Sequence, residues 1–346
     1  MQRKWLVVLV ALAFLVSAVS GFAAPKLKVV LYLNGTLGDK SFFDSANRGV
    51  LRAGKELGVT TKVIEGTYDA ARWEPDIAQL CEGGWDIIIA GTWQLQEILE
   101  KFAPKYPKTK FITFDTSVTY SKGGLDNVYS ILYKQNEGSF LVGALAAIVT
   151  TSKLPLANKD KVIGFLGGMD IPVINDFKVG YEQGAKYIDP NVKVLVSYVG
   201  SWSDAAKGKE LMMAQYDQGA DIAFNVAGQA GLGLLDAAKE KNRYAIGVDS
   251  DQYLLYKDSD AAKASLIVTS MLKNVDNSLF RAIKGTIDGT IKYGAAEGLG
   301  IKEGGVGIAD NENFAKVIPA DVRAKIKALE KQILSGKIKV GTAFGQ

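Results

Sequence analysis

The stretch "LKVVLYLNGTLGDKSFFDSANRGVLRAGKELGV", residues 27–59, predicts a buried strand, a polar turn and a helix in direct succession. The run 27–33 is almost continuously apolar, which is typical of strands that are covered on both faces of a parallel sheet. The turn that follows carries two carboxylates and two adjacent aromatics, Phe42 and Phe43. These residues lie where a strand ends, so the turn is a candidate functional segment and not only a link between the strand and the helix.

Similar apolar runs, rich in Val and Ile, alternate with segments of helical period along the rest of the chain. They are residues 61–66, 86–91, 110–115, 127–133, 161–168, 192–200, 221–228 and 244–251. Continuous apolar strands separated by helices predict an α/β fold with doubly wound parallel sheets. The alternation of strands and helices is interrupted after residue 133, and a second series then begins. Two such series predict two similar lobes that close about a hinge.

The predicted division of the chain has three parts. They are a signal peptide, 1–23; an N-terminal lobe, 24–133 plus 265–290; and a C-terminal lobe, 134–264 plus 291–346. No linker rich in Pro, Gly or Ser separates the lobes. The candidate crossovers are strand-like instead, and they are residues 129–133, 263–272 and 293–300.

The first residues have the pattern of a secretory signal. Arg3 and Lys4 precede an apolar run, 5–16, and small residues follow at Gly21 and Ala23. That run is shorter than the ~20 residues that cross a bilayer, so we expect cleavage after Ala23, with an uncleaved anchor as the alternative. No Cys lies near this junction to carry a lipid. We therefore expect an exported, soluble, unlipidated protein in the periplasm or another extracytoplasmic space.

Composition excludes several classes of function. Loss of Arg3 and Lys4 would take the formal charge from +4 to +2, so nothing favours nucleic acid or an anionic membrane as partner. Cys81 is the single cysteine, and there is no His, which removes the usual general base and metal ligand. We expect no enzyme, no cofactor and no bound metal. An exported nucleoside hydrolase is the enzymatic alternative, although the Asp residues are spread over many strand ends.

The predicted strand ends carry the functional signal, because ligands of open parallel sheets bind beyond the carboxyl ends of the strands. Gly and Asp at such positions are individually typical of strand termination and helix capping. Together with two Trp residues, the set favours a ligand cleft. The candidates at these ends are Asn34, Trp93, Asp115, Trp202, Gly228, Asp249 and Asp251.

Six segments resemble the basic membrane protein family, the substrate-binding proteins of ABC importers for purine nucleosides. They are residues 38–49, 111–115, 167–188, 200–228, 244–252 and 268–276, and they include "GDKSFFDSANRG" and "YAIGVDSDQ". The resemblance covers nearly the whole chain after the signal segment. It implies a type I periplasmic-binding-protein fold, with two doubly wound lobes joined by a multi-strand hinge. It also implies a monomeric receptor that delivers adenosine, guanosine or inosine to a permease.

The resemblance implies roles for particular residues. Phe42 would stack on one face of the purine, and Trp202, from its position in the other lobe, on the opposite face. Asp115 would read the edge of the base. The ribose hydroxyls would be held by Asp249 or Asp251 and by Lys273. With the strand-end candidates, the complete predicted site is Asn34, Asp39, Phe42, Trp93, Asp115, Trp202, Gly228, Asp249, Asp251 and Lys273.

Two positions depart from the family pattern. The family usually has Asp where this chain has Asn34, and Asn where this chain has Phe43. Asn both donates and accepts hydrogen bonds, whereas Asp only accepts, so the preferred base is left open. Another small ligand, such as a sugar or a signalling molecule, is the alternative for the same fold. Adjacent helix positions face different ways, so we expect Phe42 in the cleft and Phe43 in the core.

Overall fold

The computed structural model describes residues 26–344, so the predicted signal peptide lies outside the described residues. The strands are β1 (Lys28–Leu33), β2 (Thr60–Glu65), β3 (Ile87–Ala90), β4 (Lys110–Phe114), β5 (Val128–Tyr133), β6 (Val162–Gly167), β7 (Lys193–Tyr198), β8 (Ala220–Val226), β9 (Tyr244–Asp249), β10 (Ile267–Lys273), β11 (Ala295–Leu299) and β12 (Val306–Ile308).

The helices alternate with these strands, as the sequence predicts. They are α1 (Phe42–Leu57), α2 (Ala70–Glu82), α3 (Gln96–Phe102), α4 (Gln135–Thr150), α5 (Pro172–Ile188), α6 (Ala205–Asp217), α7 (Leu232–Lys241), α8 (Gln252–Tyr256), α9 (Ala261–Leu266), α10 (Val275–Ile287), α11 (Glu312–Val317) and α12 (Ala320–Leu334). Among residues 26–344, none of these helices combines the length and the apolar character that a membrane crossing requires.

The strands form two six-stranded sheets, which confirms the predicted architecture. Their orders are β11-β5-β4-β3-β1-β2 and β12-β10-β9-β8-β6-β7. All neighbouring strands are parallel except β10 and β12, which run antiparallel. Strands such as β3, β6 and β8 are buried along their whole length because helices cover both faces of each sheet.

Helix α1 shows how the sequence builds the first lobe. Its buried residues include Phe43, Ala46, Val50 and Ala53, whose spacing of three and four places them on one helical face against the core. The helix ends at Gly58, whose φ of +70° is the left-handed conformation that glycine adopts at helix ends. This packing fixes the position of the N-terminal turn of α1, where the polar stretch lies.

The chain crosses between the sheets three times within residues 26–344, and the structure corrects the predicted lobe boundaries. Strand β10 was assigned to the N-terminal lobe within 265–290, but it pairs with β9 in the second sheet. Strand β11 was assigned to the C-terminal lobe within 291–346, but it pairs with β5 in the first sheet. Periodicity identifies a buried strand without identifying its hydrogen-bonding partner, which is why both boundaries were misplaced.

The crossings therefore follow β5, β10 and β11. We define the first lobe as the sheet that contains β1 with its helices, including α10, which packs on α1 where Gly49 lies against the backbone of Asp276. The second lobe is the sheet that contains β6 with its helices. The carboxyl ends of the strands of both lobes border a shared cleft.

Candidate functional site

A cavity lies between the two lobes, where the carboxyl ends of the strands from both sheets meet. Its empty space is about 700 Å³, which includes the open mouth of the cleft. Nine of the ten predicted site residues line it, and Asp251 does not. The lining is Asn34, Asp39, Phe42, Phe43, Tyr68, Thr92, Trp93, Gln94, Asp115, Ile171, Val173, Ile174, Phe177, Trp202, Val226, Gly228, Val248, Asp249 and Lys273.

The two carboxylates of the opening stretch hold the start of α1. Asp39, 1% exposed, accepts hydrogen bonds from the backbone N–H groups of Ser41, Phe43 and Asp44 at 2.8–3.1 Å. Asp44 in turn accepts from the N–H groups of Gly38 and Lys40, both at 2.9 Å. Burial raises the pKa of Asp39 to about 6, although its backbone donors favour the charged form. Asp39 therefore borders the cavity mainly as a cap that fixes the first turn of α1.

The two aromatics of the same stretch take different positions, as the sequence predicts. Phe43 is 8% exposed and belongs to the main core, although its ring also borders the cavity. Phe42 is partly buried, and its ring centroid lies 5.4 Å from that of Phe114. Gly35 is required here, because a Cβ at that position would lie 2.3 Å from the Phe43 ring. The packing of Phe43 and Gly35 holds the turn in position, and Phe42 lies at the cleft.

A buried ionic cluster joins the two lobes. Lys273, at the end of β10 and 2% exposed, donates to Asp115, which follows β4 of the first lobe. The Lys273 ammonium also lies 5.5 Å from the centroid of Phe42 and 4.9 Å from that of Phe177. Burial raises the pKa of Asp115, and the Lys273 charge opposes that rise. The charges are paired, as buried charges usually are.

Asp249 makes a second connection between the lobes. It lies at the end of β9, is 8% exposed, and accepts a hydrogen bond from the Ser41 hydroxyl of the first lobe. Burial raises its pKa to about 7, while Lys273 and Ser41 favour its charged form. Close by, Ser250 accepts from Arg48 at 2.8 Å and donates to the carbonyl oxygen of Ser41 at 3.2 Å. The lobes are therefore in direct contact beside the cavity.

Three non-glycine residues that line the cavity have a backbone conformation that side chains rarely adopt. Asp115 and Asp249 both have a φ of +61°, and Thr92 has a φ of +76° with a ψ of +152°. Each such residue costs on the order of 1–3 kcal/mol, and these conformations concentrate at functional sites. Asp115 follows β4, Asp249 ends β9, and Thr92 lies in the loop after β3. The strain is consistent with a site that positions these side chains.

The first lobe contributes a polar wall that the sequence pattern only partly indicated. Asn34, 3% exposed, donates through Nδ2 to Thr92 Oγ1 at 2.8 Å and to Gln94 Oε1 at 3.2 Å. Thr92 and Gln94 were not predicted as individual site residues. Their position in the loop after β3 was the available signal, because that loop begins at a predicted strand end.

The second lobe contributes a wall that is largely apolar. The Trp202 ring lies against the backbone of Gly168, where a Cβ would be 2.5 Å from the ring. Gly228, with a φ of +56°, lies on the same side. A Cβ at this position would be 3.7 Å from the Trp202 ring. Apolar residues at the start of α5 complete the wall, and they are Ile171, Val173, Ile174 and Phe177. Their apolar character was not recognised as part of the site.

Trp93 and Asp251 complete the set of predicted residues. Trp93 is 53% exposed and lines the cavity. Asp251 is directed elsewhere, because both of its carboxylate oxygens accept from Asn311 Nδ2 at 2.8 and 2.9 Å. Its predicted place in the site is corrected: of the two alternatives for the ribose carboxylate, only Asp249 borders the cavity.

Within residues 26–344, no group of three or more acidic or Cys side chains could hold a metal ion.

Comparison with known proteins gives consistent results. The family model described as ABC transporter substrate-binding protein PnrA-like matches residues 26–343. The ABC transporter nucleoside-binding protein BmpA of Lactococcus lactis subsp. cremoris is 32% identical, over 94% of this chain and 92% of the relative. Basic membrane protein A of Borreliella afzelii is 30% identical, over 93% of this chain and 94% of the relative.

A solved structure gives the same result for the fold. An ABC transporter system solute-binding protein from Aeropyrum pernix K1 superposes with a TM-score of 0.81 at 30% identity. The match covers 92% of this chain and 94% of that one. It confirms the predicted periplasmic-binding-protein fold.

Proposed function

The chain belongs to the Bmp family of ABC transporter substrate-binding proteins, and on that premise we propose that it captures a purine nucleoside between its lobes. It then presents the nucleoside to the permease of an ABC importer on the outer side of the membrane. The relatives are solute-binding proteins, and we propose that this chain likewise binds its ligand without converting it.

One observation carries this proposal. Phe42 of the first lobe and Trp202 of the second lobe border the same cavity as the buried cluster of Asp115, Asp249 and Lys273. A purine has two flat faces, and stacking on an aromatic side chain contributes about 1–3 kcal/mol per base. A ribose has adjacent hydroxyl groups, which donate to carboxylates and accept from an ammonium group. A nucleoside satisfies both halves of the cavity, because its base can stack on the aromatics while its ribose contacts the charged cluster.

The ion pair suggests a change in the proposed role of Asp115. The family resemblance assigns Asp115 to the base edge and Lys273 to the ribose. Since the two side chains are paired, both lie close to the same part of any ligand. We therefore place Asp115 with Asp249 and Lys273 at the ribose end, and the base edge with the polar wall of the first lobe.

Capture would proceed by closure of the lobes. Three crossovers and no flexible linker connect the lobes within residues 26–344, which favours a hinge motion. The contacts between Ser41 and Asp249 would form as the cleft closes. Small-angle scattering should show compaction when nucleoside is added to an open form.

Isothermal titration calorimetry with inosine, adenosine and guanosine tests the proposal, with ribose and the free bases as controls. We expect nucleosides to bind more tightly than ribose or any free base. Chromatography of the mixtures after prolonged incubation should recover each nucleoside intact. Binding of ribose alone at equal affinity would favour a sugar receptor, and release of free base over many cycles would favour the hydrolase.

A further inference from the structure

Asn34 carries a polar atom that the fold leaves unsatisfied. Its Oδ1 is buried and has no hydrogen-bond partner in the part of the chain that the structure describes, although Asn34 lines the cavity. Buried polar atoms without partners are rare in folded proteins, because desolvation of an unpaired acceptor is costly. An unpaired acceptor at a ligand cavity is therefore an observation that points to a donor on the ligand.

The hydrogen bonds around Asn34 determine what its neighbour Gln94 offers. Gln94 Oε1 accepts from Asn34 Nδ2 at 3.2 Å and from Thr92 Oγ1 at 2.9 Å. Gln94 Nε2 makes no hydrogen bond within residues 26–344, and Gln94 also lines the cavity. The wall thus offers an acceptor from Asn34 and a donor from Gln94.

The two amides can adopt either of two arrangements, and in both of them the pair offers one acceptor and one donor to a ligand. If the Asn34 amide turned alone, its oxygen would face Gln94 Oε1, which is also an acceptor. Both amides would have to turn together, and the pair would then offer a donor from Asn34 and an acceptor from Gln94. A carboxylate at position 34 would lack this adaptability because it only accepts.

The Thr92 backbone holds this arrangement in place. Its φ of +76° and ψ of +152° fall in a region that is almost restricted to glycine. Its N–H donates to the carbonyl oxygen of Phe114 at 2.9 Å. The preceding Gly91 allows this approach, because a Cβ there would lie 2.6 Å from the same oxygen. The Thr92 hydroxyl is thereby fixed between the two amides.

We propose that Asn34 and Gln94 are the specificity-determining pair, and that they read a base edge with one donor beside one acceptor. This inference rests on the proposed nucleoside function. Both 6-oxopurines and 6-aminopurines have such an edge: N1–H beside O6 in inosine, and the amino group beside N1 in adenosine. Purine riboside has the same rings and the same ribose, but it has no donor on that edge.

The first experiment compares inosine, adenosine and purine riboside by calorimetry on the wild-type protein. We expect inosine and adenosine to bind within about tenfold of each other, and purine riboside at least about tenfold more weakly than either. If no nucleoside binds, the proposed function fails and this inference fails with it. If inosine and purine riboside bind equally, the inference alone is overturned.

Variants then locate the effect. Asn34→Leu and Gln94→Leu should each reduce the preference for inosine over purine riboside to less than about threefold, since each removes a hydrogen-bonding partner of the base. Asn47→Leu, on α1 and outside the cavity lining, is the matched control and should keep the wild-type preference. Persistence of the full preference in Asn34→Leu would overturn the inference.

A variant that gains affinity for one nucleoside relative to another separates a change in base recognition from poor folding, which only lowers binding. Asn34→Asp makes the pair offer two acceptors, because Gln94 must turn its amide nitrogen toward the new carboxylate. Guanosine has two adjacent donors, N1–H and the 2-amino group, so its affinity relative to inosine should rise by about tenfold. An unchanged ratio in a variant with a wild-type melting temperature would contradict the proposed pair.

Discussion

Lys273 and Asp115 form an ion pair that joins the two lobes inside the cavity. Lys273 ends β10 of the second sheet, and Asp115 follows β4 of the first sheet. The Lys273 side chain is 2% exposed and that of Asp115 is 13% exposed, so removal of one partner leaves the other largely shielded from solvent. The pair therefore contributes to the ligand site and also to the contact between the lobes.

The first prediction concerns the stability of this pair. Lys273→Met should lower the free energy of unfolding without ligand by about 3 kcal/mol, because Asp115 is left as a buried charge without a partner. The double variant Lys273→Met/Asp115→Asn should recover at least about 1 kcal/mol of that loss. Urea denaturation of the two single variants and the double variant measures the coupling. Strictly additive losses would show that the two side chains are not coupled.

The second prediction concerns Asp39, which we regard as a cap. Asp39→Ala should lower the free energy of unfolding by about 1–2 kcal/mol, because three backbone N–H groups at the start of α1 lose their acceptor. It should also weaken nucleoside binding, since the same turn positions Phe42. Urea denaturation and calorimetry measure the two effects.

Asp69 provides the matched control for this prediction. It caps α2 by accepting from the Ala71 N–H, and it lies outside the cavity lining. Asp69→Ala should cost less free energy of unfolding, because it removes one exposed hydrogen bond rather than three, and it should leave nucleoside affinity unchanged. If both variants bind equally well, the Asp39 turn does not position Phe42 for the ligand.

The third prediction is a dependence of stability on pH through Asp249. Its folded-state pKa is about 7 against an ordinary value of 3.8, so the folded protein holds one more proton than the unfolded chain between about pH 4 and pH 7. The free energy of unfolding should therefore fall as pH rises through this range, by at most about 1.4 kcal/mol per pH unit. Asp249→Asn should flatten the curve.

The charged neighbours of Asp249 determine how this experiment is read. Lys273 favours the charged form of Asp249, and Asp39 and Asp115 oppose it. Asp39 also has a raised pKa and contributes a slope of its own in both proteins. The difference between the wild-type and Asp249→Asn curves, from urea denaturation at several pH values, isolates the Asp249 contribution. Parallel curves would mean that Asp249 keeps an ordinary pKa.

Much of the cavity lining could be predicted from the sequence because the carboxyl ends of parallel strands converge. Asn34, Asp115 and Asp249 each lie at the carboxyl end of a recognisable buried strand, so their convergence follows from the fold class. Thr92 and Gln94 were missed as individuals, because a φ of +76° at a threonine leaves no compositional signal. Such conformations depend on tertiary contacts, here the hydrogen bond from Thr92 to Phe114.

The errors in the sequence-based account have the same origin. Asp249 ends β9 and Asp251 lies two residues further on, and only tertiary contacts distinguish them: Ser41 donates to Asp249, and Asn311 donates to Asp251. Strands β10 and β11 are recognisable as strands, but the sheet that each joins depends on partners far along the chain. Local pattern determines which elements form, and long-range pairing determines where they lie.

The last prediction tests the aromatic residues at the cleft. Phe42→Ala and Trp202→Ala should each weaken binding of inosine, adenosine and guanosine by about 1–3 kcal/mol, because stacking depends little on base identity. At ~100 times its dissociation constant, a nucleoside should stabilise the wild type by about 2.7 kcal/mol, and each variant by less at the same concentration. Calorimetry and thermal denaturation measure these effects.

The control for the aromatics is Trp85→Ala, because Trp85 is an aromatic outside the lining of the cavity between the lobes. It should leave nucleoside affinity unchanged. The two stacking variants should also keep the wild-type order among the three nucleosides, in contrast to Asn34→Asp, which should change that order. Reordering by Phe42→Ala would mean that Phe42 affects the reading of the base edge. Unchanged affinity in a folded Trp202→Ala protein would remove Trp202 from the proposed site.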